Sequence, residues 1–145
     1  MNKILVYTNS AEETMQFAEK LAKVLGKGAV LLLHGDLGAG KTHFVKGFVK
    51  GIGSKSVVTS PTFTLLNIYD DGKLPIYHFD MYRLSSKEEA EEIGFNEYFD
   101  ANNSNGIVLV EWPEKVEGLI TCPHINVQIK KLDENKREII VGGGK

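Results

Sequence analysis

A single cysteine, Cys122, leaves no partner for an internal disulfide, and the histidines and cysteine fall in no zinc-ligand spacing. Cys122 therefore reads as a core or loop thiol. No apolar run approaches the ~18 residues that suggest a membrane span. The apolar stretch near the start, Ile4 to Tyr7, is too short for a signal-peptide core, so the expected compartment is the cytoplasm. Arginine is scarce: Arg83 and Arg137 stand alone. Net charge is −2, the lysines are scattered and no aromatic–basic strip stands out, so direct nucleic-acid binding is disfavoured. No internal repeat and no inter-domain linker interrupts the 145 residues, which predicts one domain over 1–145.

What is present is a phosphate-binding signature. Gly35-Asp36-Leu37-Gly38-Ala39-Gly40-Lys41-Thr42 fits G-x-x-x-x-G-K-[ST]. Ala29 to His34 before it is a short apolar run that reads as a buried strand. Thr42 to Ile52 after it places Phe44, Val45, Phe48, Val49 and Ile52 on one helical face. Strand, glycine loop and helix are the order this chemistry needs. Glycines let the loop curl so that its N–H groups wrap phosphates, and the helix that follows adds the positive end of its dipole. Lys41 supplies a point charge for the outer phosphates, and the Thr42 hydroxyl is a ligand for Mg²⁺. The plain alternative, a glycine turn beside a surface lysine, explains neither flank.

The rest of the chain predicts an α/β sandwich. Ile4 to Thr8 reads as a strand. Ser10 opens a helix through a capping box with Glu13, and Gly26 and Gly28 end it. Val57 to Thr64 reads as extended, with Thr62 and Thr64 opposite Phe63. A threonine loop after the first phosphate-binding helix can sense a terminal phosphate; a β-branched strand entry fits the spacing equally well. Leu65 to Tyr69 and Leu74 to Tyr82 form a hairpin around Asp70-Asp71-Gly72-Lys73. Its second arm contains Ile76-Tyr77-His78-Phe79-Asp80, where Asp80 follows a largely apolar run and is suited to Mg²⁺ or the attacking water, whereas His78 reads as a packed or hydrogen-bonded strand residue. Ser85 to Ile93 is a capped helix with a solvated acidic face. Ile107 to Glu111 is a fully apolar strand ending in a carboxylate. In an open α/β sheet ligands gather outside the carboxyl ends of the strands, so the glycine loop and Glu111 are expected on one edge. Val127 to Leu132 and Arg137 to Val141 make a closing hairpin, and 142–145 is expected as a flexible tail.

Four motifs in series, the glycine loop, Ser60-Pro61-Thr62-Phe63, His78-Phe79-Asp80-Met81-Tyr82-Arg83-Leu84 and Glu111-Trp112-Pro113-Glu114, resemble the bacterial TsaE (YjeE) proteins over nearly the whole chain. The resemblance implies a P-loop NTPase-like three-layer sandwich with a mixed central sheet. It implies a small Mg²⁺-dependent ATPase needed for threonylcarbamoyladenosine formation next to the tRNA anticodon. That ATPase would act with TsaD and TsaB, with tRNA reached through the complex. Carried over by position, Leu37, Gly38, Ala39, Gly40, Lys41 and Thr42 hold ATP phosphates, and Thr42 and Glu111 ligate Mg²⁺. Lys41 and Asp80 serve hydrolysis, Thr62 switches near the γ-phosphate, Trp112 lies near the nucleotide, and Ser10 lies on the purine side.

Two rival classes remain in view. A small-molecule kinase needs cationic clamps on the transferred phosphoryl group, and two arginines with no arginine-bearing lid supply few. A regulatory GTPase needs N-K-x-D, and the nearest run, Asn135-Lys136-Arg137-Glu138, ends in the wrong residue within an expected hairpin.

Overall fold

The computed structural model describes residues 3–59, 65–99 and 105–144. In chain order the elements are β1 (Ile4–Thr8), α1 (Ala11–Val24), β2 (Val30–His34), α2 (Lys41–Gly51), β3 (Leu66–Tyr69), β4 (Ile76–Asp80), α3 (Lys87–Glu92), β5 (Ile107–Glu111), β6 (His124–Lys131) and β7 (Arg137–Gly144). Short 3₁₀ turns occupy Phe95–Phe99 and Pro113–Val116. The strands form one mixed sheet in the order β1-β7-β6-β2-β5-β4-β3. The centre, β6-β2-β5-β4, is parallel, and antiparallel neighbours close both sides.

The apolar runs of β2 and β5 are explained by burial on both faces. On one face Leu31, Leu33, Ile107 and Leu109 meet the helices α1 and α2 through Phe44, Phe48 and Ala18. On the other, Val30, Leu32, Val108 and Val110 meet Phe79, Phe95 and Val116. Phe79 packs edge-on against Phe95 at 4.9 Å and Tyr98 at 5.2 Å between centroids, a favoured aromatic geometry. Two glycines one helical turn apart let α1 approach α2. A Cβ on Gly47 would lie 2.1 Å from the Met15 carbonyl oxygen, and one on Gly51 2.5 Å from that of Glu19.

The α1 cap is as the sequence predicts: the Glu13 N–H donates to Ser10 Oγ at 3.1 Å, and the Asn9 N–H donates to Glu13 Oε1 at 2.8 Å. Both hairpins form. Two expectations need correction. Residues Gly142 to Gly144 are not a trailing tail but the last rungs of β7, paired with Asn126, Ile125 and His124. The reason is that β6 starts at His124, three residues before the expected Val127, and supplies backbone partners that outweigh the low strand preference of glycine. Residues 54–59 carry no strand; Ser54 and Ser56 instead bond to the Asp71 carboxylate. The expected extension of that strand through Thr62 to Thr64 lies outside the described residues.

Candidate nucleotide-binding site

The topology brings three strand ends together. β2 ends one residue before the glycine loop, β5 lies beside it, and β4 lies beside β5. Because the three run parallel, their carboxyl ends share one edge. Leu33 is the register partner of Glu111, and Glu111 that of Asp80. A cleft of about 420 Å³ opens there, lined by Leu37, Gly38, Gly40, Lys41, Thr42, His43, Asp80, Tyr82, Arg83, Glu111, Trp112 and Arg137. A larger cleft of about 820 Å³ adjoins it across the loop, sharing Leu37 and Trp112 and bounded by Asp36, Glu114, Lys130 and Glu138. The chemistry-bearing residues gather in the smaller one.

The loop has the backbone that phosphate wrapping requires. Gly38 and Gly40 sit at φ +80° and +105°, a left-handed region that a side chain strains. The start of α2 differs from the other two α-helices. Serine side chains cap α1 and α3, and both carry glutamates in the first turn; α2 has neither a side-chain cap nor an acidic residue there. Its positive end is thereby left to face the cleft.

Lys41 is 5% exposed. Its ammonium donates to the Gly35 carbonyl at 2.6 Å and lies 3.6 Å from the centre of the Trp112 ring. Burial pushes its pKa below the ordinary lysine value, and the carboxylates of Glu111, Glu114, Asp80 and Asp36 oppose that shift. Trp112 takes φ +57°, uncommon for a bulky residue, immediately after the β5 carboxylate. That turn sends its ring over Lys41 and against Tyr82, 4.9 Å between centroids.

Asp80 and Glu111 are both buried, at 5% and 4% exposure. The Tyr82 N–H donates to Asp80 Oδ1 at 3.0 Å. Glu111 Oε2 meets the Nε2 of His78 at 2.6 Å. Among the described residues no cluster of three or more His, Cys, Asp or Glu forms a metal cage. A threonine hydroxyl and a carboxylate on one cleft are instead the donor set Mg²⁺ takes when substrate phosphates supply the remaining oxygens, so the residues fit that ion.

Of the residues singled out in the sequence, Leu37, Gly38, Gly40, Lys41, Thr42, Asp80, Glu111 and Trp112 line the cleft together. Ala39 lies within the loop, is buried, and borders the larger cleft. Ser10 caps α1 and is not among the lining residues. Thr62 lies outside the described residues. His78, expected as a packed or hydrogen-bonded strand residue, is one, and its partner is Glu111; the sequence assigns no site role to Tyr82 and Arg137. His78 and Asp80 are two apart on β4, as Leu109 and Glu111 are on β5. The register His78↔Leu109 makes His78 a diagonal neighbour of Glu111. Knowing that β4 pairs with β5 would have revealed it. Arg137 reaches the loop from β7, its Nε donating to the Ala39 carbonyl at 2.7 Å, and no local signal marks it.

The family model for "Threonylcarbamoyl adenosine biosynthesis protein TsaE" matches residues 8–139. The chain belongs to the TsaE family. TsaE relatives with the name "tRNA threonylcarbamoyladenosine biosynthesis protein TsaE" include one from Bacillus subtilis (strain 168), 42% identical over 96% of this chain and 85% of its own. Another, from Rickettsia prowazekii (strain Madrid E), is 46% identical over 89% of this chain and 88% of its own. The crystal structure of Bacillus subtilis YdiB superposes with a TM-score of 0.81 at 37% identity, covering 97% of this chain and 84% of that one. The α/β architecture with its mixed sheet is thus common to this chain and that solved structure. No helix among the described residues is long and apolar enough to cross a membrane.

Proposed function

We propose that this TsaE-family chain is an ATP-binding, Mg²⁺-dependent ATPase that supports threonylcarbamoylation of the adenosine next to the tRNA anticodon. In this reading it works in the cytoplasm with TsaD and TsaB, and tRNA is held by those partners. The observation that carries the reading is the meeting of Lys41, Thr42, Asp80 and Glu111 on one cleft at the ends of three parallel strands and the start of α2.

The loop amides and the start of α2 would take the phosphates. Lys41 would leave the Gly35 carbonyl for the outer phosphate oxygens. The Thr42 hydroxyl and the Glu111 carboxylate would hold Mg²⁺, which when bound neutralises developing charge on the phosphates. Asp80, neighbour of Glu111 on β4, would order the attacking water or the metal's hydration. Trp112 would close over the phosphate end. Hydrolysis would not attach the threonylcarbamoyl group; it would reset the complex between turnovers, which requires different contacts with the partners in the two nucleotide states.

A small-molecule kinase is the competing reading. The engagement of Arg137 weighs against it. Its guanidinium bonds to the carbonyls of Ala39, Asp133 and Lys136, so it braces the loop rather than standing ready to clamp a transferred group. Calorimetry should show ATP binding in preference to GTP. Reconstitution with TsaD and TsaB should show slow hydrolysis alone, faster hydrolysis with partners, and loss of multi-turnover tRNA modification in Lys41→Ala, Asp80→Ala and Glu111→Ala. Full-rate hydrolysis indifferent to the partners would refute the coupling. No nucleotide uptake at millimolar concentration would refute the whole reading, and a phosphorylated metabolite would favour the kinase.

A further inference from the structure

Behind Glu111 runs a line of buried polar groups that the proposed chemistry does not use. His78 is fully buried in β4. Its Nε2 lies 2.6 Å from Glu111 Oε2, and its Nδ1 lies 3.2 Å from the Tyr69 hydroxyl on β3. Tyr69 is buried as well, and its ring lies 6.0 Å from the imidazole between centroids. On the far side, Asn67 Nδ2 is 3.5 Å from the Tyr69 hydroxyl and 3.1 Å from the Thr59 carbonyl. A carboxylate only accepts, so Nε2 of His78 carries the hydrogen. The Tyr69 hydroxyl is within hydrogen-bond reach of His78 Nδ1 at 3.2 Å and of the Thr59 carbonyl, to which it donates at 3.4 Å. The Asn67 amide donates to the tyrosine oxygen and to Thr59. Burial pushes the Tyr69 phenol above its usual pKa, which keeps it a donor.

We propose that His78, fixed by Tyr69, is a positioning residue for Glu111: it holds Oε2 so that Oε1 is presented to the Mg²⁺ of a bound nucleotide. This rests on the reading of Glu111 as a metal ligand. The terminal torsion of a glutamate is broad and two-fold, so an untethered carboxylate samples many orientations. One short hydrogen bond from a buried ring removes most of that freedom. The ring is itself held at its second nitrogen, on a different strand, so β3, β4 and β5 all contribute to the aim of one oxygen. Partners of this kind behind a metal ligand change affinity by about 10–100-fold when lost.

The test measures Mn²⁺ affinity of the full-length protein with saturating ATP, by electron paramagnetic resonance, beside ATP affinity in EDTA. Tyr69→Phe removes one hydroxyl and keeps the packing; His78→Gln keeps an amide donor in place of Nε2; His78→Phe removes both nitrogens. The expected Mn²⁺ affinity falls about 3–10-fold in Tyr69→Phe and about 10–100-fold in His78→Phe. His78→Gln should restore it to within about 3-fold of wild type, because its amide can still hold Oε2. ATP affinity in EDTA should stay within about twofold for all, as the loop amides and Lys41 are untouched. If His78→Phe does not fold, Tyr69→Phe decides alone. Wild-type Mn²⁺ affinity in Tyr69→Phe and His78→Phe, or a parallel fall in metal-free ATP affinity, would overturn the proposal while leaving the functional reading standing. A wild-type protein that binds ATP without recruiting Mn²⁺ would instead overturn the metal-ligand reading, and this inference with it.

Discussion

The ammonium of Lys41 lies 3.6 Å from the centre of the Trp112 ring, and the same ammonium is bonded to the Gly35 carbonyl. A phosphate entering the loop competes for that charge. Trp112 is the chain's one tryptophan, so its emission reports the event without a label. A saturable change in intrinsic fluorescence is expected on titrating ATP. Lys41→Ala should alter emission in the ligand-free protein and show no further change up to millimolar ATP. A wild-type spectrum indifferent to ATP that calorimetry shows to be bound would mean that the ammonium stays where it is.

Asp80 is expected to matter for turnover more than for binding. Its carboxylate lies one strand away from Glu111, and the loop amides do not depend on it. Asp80→Asn keeps shape and the acceptor for the Tyr82 N–H but loses the charge. Partner-stimulated hydrolysis should fall about 10²-fold or more, with ATP affinity changed by no more than a few-fold. Equal losses in both, read by single-turnover kinetics and calorimetry, would recast Asp80 as a binding residue.

The first segment after α2 is held from a distance by an exposed carboxylate. Hydrogen bonds from the Ser54 hydroxyl, the Lys55 N–H and the Ser56 hydroxyl lower the Asp71 pKa from 3.8 to about 2. A depressed carboxylate contributes stability that is fully present above the unfolded value and is lost as pH falls through the folded one. The window here runs from 3.8 down to about 2. The side-chain carbon resonance of Asp71 should titrate near the lower value, and Lys55 amide protection should fade across the same interval. In Asp71→Asn the Lys55 amide should be weakly protected at every pH.

The α1–α2 contact gives a stability test. Gly47→Ala gains up to about 1 kcal/mol of helix preference. Against that, its Cβ would sit 2.1 Å from the backbone oxygen of Met15, which cannot swing away as a side-chain tip would. The clash wins, and the net loss should be about 1–3 kcal/mol with a fall of several degrees in Tm. Gly26→Ala is the control: nothing lies within 4 Å of its Cβ and its φ is ordinary, so Tm should hold or rise.

The parts of the site that share a short stretch were legible in the sequence. Strand, loop and helix around Lys41 announce themselves because spacing, glycines and helical periodicity are local. The carboxylates Asp80 and Glu111 were legible as strand-ending acids, each read without its neighbour. The shared edge of the glycine loop and Glu111 was also expected; what escaped was which side chains strand order sets next to one another. His78 gains its meaning only when β4 lies beside β5, and Arg137 only when β7 brings it to the glycine loop. The end of β7 escaped for a similar reason. Three successive glycines read as slack, and only a partner strand beginning at His124 turns them into ladder rungs. Gly47 and Gly51 likewise look like poor helix residues until the backbone of α1 lies against them.

The middle strand β2, made early in the sequence, takes both of its neighbours from the far half of the chain: β5 at 107–111 and β6 at 124–131. During synthesis the glycine loop is therefore translated long before anything flanks the strand that carries it. A nascent polypeptide stopped short of residue 107 lacks Glu111 and Trp112, two of the residues lining the candidate cleft, however intact its signature motif. Truncations and ribosome-stalled fragments should acquire nucleotide affinity abruptly, once the last hairpin has emerged, and not in proportion to length.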